Sequence, residues 1–233
     1  MNVIRGQLLL AIGLSAFCVP VMRAQTVWSL GGNFSATNNP TGAWSYGSAT
    51  SLGGAFTVYP TPTSGSGINS WTTTSSFPSI NYNPAATSVQ VGTVLWPASS
   101  IIQHPGPGGE FAVARWTAPF NGTFALAAAF SSGDVFGATT NVFVLRNGTT
   151  LGGGNVNLTN GFTFSLTSSL VSGDFIDFVV GFGTNGSYFN DSTVTVGTIS
   201  ALAVPEPSTW VLFGFGGAVI AMLRSRRTGR VDR

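Results

Sequence analysis

Ser172-Gly173-Asp174-Phe175-Ile176-Asp177-Phe178-Val179-Val180-Gly181-Phe182 is the stretch whose reading settles the fold class. Ser172-Gly173-Asp174 is turn chemistry. The run from Phe175 to Phe182 is short and rich in aromatic and β-branched residues, the composition of a strand. In an extended chain, alternate side chains share a face. Ile176, Phe178, Val180 and Phe182 therefore lie on one side, and Phe175, Asp177 and Val179 on the other. On this pattern Asp174 is expected in a turn and Asp177 facing solvent.

The same period of two recurs on either side. Phe124, Leu126, Ala128 and Phe130 alternate with smaller residues after the Asn121-Gly122 turn. Asn141 to Leu145, Arg146-Asn147-Gly148-Thr149 and Thr150-Leu151 read as a hairpin. Phe162, Phe164 and Leu166 alternate again, and Val194, Val196 and Ile199 form a last strand. Residues 25 to about 100 are poor in charge and rich in Ser, Thr, Gly, Asn and Pro, a composition that alone suggests disorder. Aromatic residues from Trp28 to Trp96 are scattered through it, so it reads as short strands and long turns anchored to a core. Pro60 to Gly67 and Pro97 to Pro107 read as loops. No apolar stripe of helical period occurs between the two ends of the chain. Short strands with turns between them make a sandwich or barrel.

Charge is sparse. From Gln25 to Val204 two arginines stand against five acids, a net of −3, although the whole 233-residue chain is formally +2. The excess of base lies outside this region, which removes the charge argument for nucleic-acid binding. No cysteine lies in it, so disulfides and thiolate metal sites are excluded there. Six Asn-X-Ser/Thr sequons start at Asn33, Asn121, Asn147, Asn157, Asn185 and Asn190. Each is either a glycan acceptor or turn chemistry, and the Asn-Gly pairs at Asn121, Asn147 and Asn185 read as turns.

Catalytic residues are few. His104 is the single histidine, in a turn-rich stretch with no nucleophile-elbow motif beside it, and reads as a loop histidine. A glycosidase needs two placed carboxylates. Only Glu110, Asp134, Asp174, Asp177 and Asp191 are available, and Asp174 and Asp177 fall on opposite faces of a strand. Asp134 and Asp191 lie in turns and could hold a structural calcium, but no EF-hand spacing is present. No cofactor motif occurs. Trp28, Trp44, Trp71 and Trp96 are candidate platforms for stacking on sugar rings, with core packing as the alternative for each.

The two ends are different. Arg5 precedes an apolar stretch from Leu8 to Val19, Pro20 breaks it, and Ala24 and Gln25 flank a cleavage point, the form of a secretory signal peptide over residues 1–24. Cys18 also admits a lipoprotein reading, but bulky Phe17 precedes it. Toward the other end stands Val204-Pro205-Glu206-Pro207-Ser208-Thr209-Trp210. An apolar run continues to Leu223, and Arg224, Arg226, Arg227, Arg230 and Arg233 follow. Fourteen residues of helix from Trp210 to Leu223 span about 21 Å. A bilayer core is about 30 Å thick, so the run is short unless Ser208 and Thr209 extend it and the arginines snorkel. A transmembrane helix over about 208–223 places the basic tail, 224–233, on the cytoplasmic side.

A proline-glutamate-proline segment, a short glycine-containing apolar helix and an arginine cluster resemble the PEP-CTERM sorting signal, here over residues 204–230. The resemblance implies that Pro205, Glu206 and Pro207 are recognised by an exosortase, a membrane processing enzyme. The stretch from His104 to Ala201 resembles jelly-roll domains, through His104-Pro105-Gly106-Pro107, Arg115-Trp116-Thr117-Ala118-Pro119 and Gly173-Asp174-Phe175-Ile176-Asp177-Phe178. Asn39-Pro40-Thr41-Gly42-Ala43-Trp44-Ser45-Tyr46-Gly47 is similar to the start of such domains.

Together these readings predict an all-β protein with a single jelly-roll-like β-sandwich over residues 25–203. It would be exported, anchored in the inner membrane before processing, and then placed at a bacterial cell surface or in extracellular matrix. The expected role is non-catalytic, with an exosortase, the membrane and extracellular polysaccharide as partners and no nucleic acid. A dedicated carbohydrate-binding module and a glycan-active enzyme are the alternatives.

Overall fold

The computed structural model describes residues 25–202; the signal peptide and sorting-signal readings lie outside the described residues. Within them every regular element is a strand, and none is a helix. The first eight strands are β1 (Val27–Ser29), β2 (Trp44–Ala49), β3 (Thr57–Val58), β4 (Thr61–Gly65), β5 (Ile68–Thr72), β6 (Ser79–Tyr82), β7 (Val89–Val91) and β8 (Val94–Trp96). The second eight are β9 (Ile101–His104), β10 (Phe111–Thr117), β11 (Gly122–Ser132), β12 (Thr140–Arg146), β13 (Thr149–Val156), β14 (Phe162–Leu170), β15 (Phe175–Gly181) and β16 (Thr193–Ala201).

The second eight strands fold as one long hairpin rolled up. Its tip is Asn147-Gly148, where both residues have positive φ, 50° and 81°. Two positive φ values make the type I′ turn that matches strand twist, which is why Asn-Gly stands there. Outward from the tip, β12 pairs with β13, β11 with β14, β10 with β15 and β9 with β16, all antiparallel. Rolling distributes these pairs between two sheets. One has the order β14-β11-β16-β9 and the other β13-β12-β15-β10. This is the jelly-roll arrangement, two four-stranded sheets face to face, spanning the residues where the sequence resembled one.

The N-terminal strands lengthen both sheets at the same side. β6, β5 and β4 continue the first sheet beyond β9, and β2 and β3 continue the second beyond β10; β1 adds to β16, and β7 and β8 form a separate hairpin. Two stretches read as loops are strands. Thr61–Gly65 is β4, turned into β5 by Ser66 and Gly67, both with positive φ. Ile101–His104 is β9, whose four residues are all buried because β6 and β16 flank it. Proline-rich flanks hid a strand too short to show alternation.

The core lies between the sheets. Leu30, Trp44, Tyr46, Ile80, Ile101, Trp116, Phe124, Leu126, Phe130, Ile176, Phe178 and Ile199 are among its members. The predicted inward set of β11 holds, with Phe124, Leu126, Ala128 and Phe130 buried; on β15 Ile176, Phe178 and Val180 are buried, but Phe182, placed with them, lies past the end of the strand and is half-buried. The aromatics of the N-terminal half join this core. Phe34 packs against Tyr46 and Tyr82, with ring centroids 5.0 Å apart in each case. At roughly 25 cal/mol per Å² of apolar surface removed from water, such rings offset the poor burial of the Ser/Thr/Gly-rich segments around them. Gln103, fully buried, crosses between the sheets: its Nε2 donates to Ala112 O at 3.0 Å and Phe178 O at 3.1 Å.

Candidate functional site

Among the four tryptophans proposed as sugar platforms, the structure separates core from surface. Trp44 is fully buried and packs on Phe178, and Trp71 is buried with its Nε1 donating to Ser35 O at 2.7 Å. Trp28 and Trp96 are half-buried. Trp28 is partly exposed and lines a recess. A groove of about 190 Å³ is lined by Trp28, Asn33, Thr41, Gly42, Ala43 and Trp44.

Local chemistry builds this groove. Trp28 sits in β1, held by pairing with Ile199 of β16. Its ring rests against Trp116 at 5.2 Å, edge to face, and against Phe124 and Phe120 at 6.0 and 6.1 Å. Ser29 starts a tight turn in which Asn33 N donates to Ser29 O at 2.9 Å and Ser29 N donates to Asn33 Oδ1 at 2.8 Å. That fixes the Asn33 side chain and leaves its Nδ2 with no hydrogen bond among the described residues. On the other wall, Thr41 and Trp44 exchange backbone hydrogen bonds of 2.8 and 2.9 Å. Gly42, at φ +54°, makes the bend between them, and a Cβ there would meet nothing within 4 Å. The result is an aromatic wall flanked by one free amide and one hydroxyl.

The titratable residues are committed elsewhere. Asp177 was expected to face solvent. It is 2% exposed instead, and its carboxylate accepts both Nε and Nη2 of Arg115, at 2.7 and 2.9 Å. The outer face of its sheet is covered, a fact that alternation along one strand does not report. Burial pushes the Asp177 carboxyl up, and Arg115 pulls it part of the way back. Phe56 and Phe175 sandwich the guanidinium, 4.2 and 3.7 Å from ring centroid to Cζ. Asp174 keeps its predicted turn position. Its carboxylate accepts Asn147 Nδ2, Val171 N and Arg146 Nη2, which hold its pKa below the usual carboxylate value. Glu110 accepts Gly108 N at 2.9 Å and closes the loop after β9.

His104 is not a loop residue but the last residue of β9. It is buried, 4.3 Å from the Phe77 ring and edge-on to Tyr188. Its Nδ1 lies 2.8 Å from Pro105 O, and burial lowers its pKa. No hydroxyl nucleophile bonds to it among the described residues. The two turn acids are buried as well. Asp134 accepts Thr93 Oγ1 and Phe136 N, at 2.8 and 3.0 Å. Asp191 accepts Thr139 N and Oγ1 on Oδ1, at 2.9 and 3.0 Å, while its Oδ2 has no partner. Burial raises the Asp191 pKa, with the Asp134 charge adding to the rise. Among the described residues no three His, Cys, Asp or Glu side chains converge as a metal site would require.

The described chain leaves the sandwich beside its own beginning. Ala201 N donates to Thr26 O at 2.9 Å, and Leu202 N donates to Thr123 O at 2.8 Å. The Trp28 groove is two residues from Thr26 and so lies at the end from which the polypeptide continues to residue 203.

Comparison with known proteins bears on both parts. No curated protein matches the chain. In structure it resembles pika GITRL at 15% identity, covering 40% of this chain and 75% of that one, with a TM-score of 0.29. It also resembles the C-terminal CBM6 of the laminarinase LamC from Zobellia galactanivorans, at 11% identity, 67% and 98% coverage and a TM-score of 0.27. A third is a family 35 carbohydrate-binding module from Clostridium thermocellum, at 16% identity, 53% and 98% coverage and a TM-score of 0.24. Scores of this size establish no common topology. The sequence match is of another kind: it is confined to the segment after the sandwich and includes Pro205-Glu206-Pro207 and Arg224, Arg226 and Arg227. Residues 203–227 of this chain are a PEP-CTERM protein-sorting motif, the mark of an exported protein sorted by an exosortase.

Proposed function

We propose that this chain is a surface or matrix protein that binds extracellular polysaccharide through the Trp28 groove, without catalysis. Its sorting motif delivers it: an exosortase recognises Pro205, Glu206 and Pro207 while the segment after them anchors the chain in the membrane. The observation that carries the binding reading is the groove itself. A half-exposed indole would offer an apolar wall for sugar C–H groups, and Asn33 and Thr41, which line the same groove, would supply an amide and a hydroxyl to ring hydroxyls. The non-catalytic part rests on the carboxylates, of which Asp174, Asp177 and Glu110 each hold a structural partner.

Affinity electrophoresis of the exported protein through gels of soluble neutral and acidic polysaccharides tests the binding. Retardation by at least one polysaccharide is expected, with at least about tenfold weaker binding for Trp28→Ala and for Asn33→Ala. Equal migration of all three proteins in every gel would reject the groove. Binding is expected to survive a chelator, since no metal is invoked; loss with EDTA and recovery with calcium would assign a role to Asp191. Intact mass of the exported form tests the processing, and a species that retains Trp210 to Arg233 would overturn it.

A further inference from the structure

Among the described residues the strand paths of the two large sheets end in four strands, and three of these are blunted against further pairing. β3 has two residues and runs into Pro60. β4 carries Pro62, which cannot donate to a ladder. β13 contains Gly152, Gly153 and Gly154, and its pairing with β12 shifts register between Val144 and Leu145. β14, Phe162–Leu170, is different. It has nine residues, with no charge, proline or glycine, and it pairs with β11 in one unbroken register. Proteins ordinarily guard such an edge with lysine, proline or a bulge.

A second observation lies at its centre. Leu166 is directly opposite Leu126, and residues paired across an antiparallel ladder share a face. Leu126 is buried in the core, yet Leu166 on the same face is 39% exposed. The strand thus presents an inward-facing leucine that the sandwich leaves partly uncovered. On this face Phe162, Phe164, Leu166, Ser168 and Leu170 follow one another. The other face carries Thr163, Ser165, Thr167 and Ser169. Reversing the strand about Leu166 reproduces both alternations, so the segment is complementary to itself. The one nearby charge, Arg146, reaches Ser168 Oγ at 3.3 Å and is neutralised by Asp174 at 2.8 Å.

We infer that two copies of this chain pair through β14, antiparallel about a two-fold axis at Leu166, so that their first sheets become one continuous sheet. Leu166 then meets Leu166 of the other copy, Ser165 meets Thr167, and Phe162 meets Leu170. A two-fold contact of this kind closes after two copies and leaves no free β14. It would give a polysaccharide-binding protein two grooves per particle, but it stands independently of that reading.

Cysteine cross-linking of the full chain in a Cys18→Ser background tests the register. Leu166→Cys is expected to give a disulfide-linked dimer on mild oxidation. Ser165→Cys and Thr167→Cys are expected to link when mixed and to link poorly when each is alone. Val196→Cys, on the open face of the same sheet, should form no disulfide-linked dimer. Sedimentation of the cysteine-free protein should show a dimer that Leu166→Lys converts to a folded monomer, whose melting no longer depends on protein concentration. A Leu166→Cys protein that stays monomeric, or a Ser165→Cys protein that links to itself as readily as the mixture, overturns the proposal.

Discussion

The outer faces of the two sheets have opposite treatments. On the β13-β12-β15-β10-β2-β3 sheet, the chain after β2 folds back across the surface. Beneath it Ala49, Val113, Leu145 and Val179 form a second buried cluster, with Phe56, Phe111 and Phe143 packed over them. The close approach is built into the backbone. Gly53, at φ +70°, lies against Gly148 O of the hairpin tip, where a Cβ has no room. On the other sheet, β11, β14 and β16 present Ala127, Ser165, Thr163, Thr167 and Val196 to solvent. Both faces come from strands with alternating pattern. The first places large apolar groups and an ion pair outward and needs a cover; the second places small and hydroxylated groups outward and needs none. A buried charge pair on the first face is therefore held by packing that the second face lacks.

Three substitutions sharpen this contrast. Asp177→Ala is expected to have the largest effect, because Arg115 is left charged between Phe56 and Phe175 with no counter-ion. Removing one partner of a buried pair costs about 3–5 kcal/mol. For a domain of this size that is a drop of about 10 °C in melting temperature, readable by calorimetry. Phe56→Ala comes next. It removes the ring above Arg115 and Gly47 and is expected to cost about 2 kcal/mol, and hydrogen exchange of residues 50–58 should quicken. Thr198→Ala, on the bare face, is expected to change stability by less than about 0.5 kcal/mol. If Thr198→Ala matched Phe56→Ala in denaturant melts, the bare face would have a cover of its own and the contrast would fail.

His104 gives a further, smaller test through pH. Its folded pKa is lowered by burial, so the unfolded chain takes the proton first as pH falls through about 6.5. Stability contributed by the neutral ring is present above that value and is lost as pH drops toward the folded pKa. His104→Gln is expected to flatten the melting temperature between pH 7 and pH 5 relative to the parent. An unchanged slope would place the titrating group elsewhere.

Much of the fold was legible because strand alternation is a local property. Phe124 to Phe130 and Ile176 to Val180 show their inward sets in sequence, and Asn147-Gly148 announces the hairpin tip, where both residues have positive φ. β4 and β9 were not legible, since strands of four or five residues among prolines show no period. The groove was half legible. Trp28 was among four candidates, but which tryptophan lines a recess depends on the strand it pairs with and on Thr41 and Asn33, brought to it by turns.

What the sequence determined by itself was the strand period, the turn positions and the sorting motif at residues 203–227, because each depends on neighbours in the chain. What only the tertiary structure decided was which outward faces are covered, and by what. Asp177 has the same phase along its strand whether it meets water or Arg115. The difference is made by a segment more than a hundred residues earlier, folded over it by contacts that no local pattern encodes.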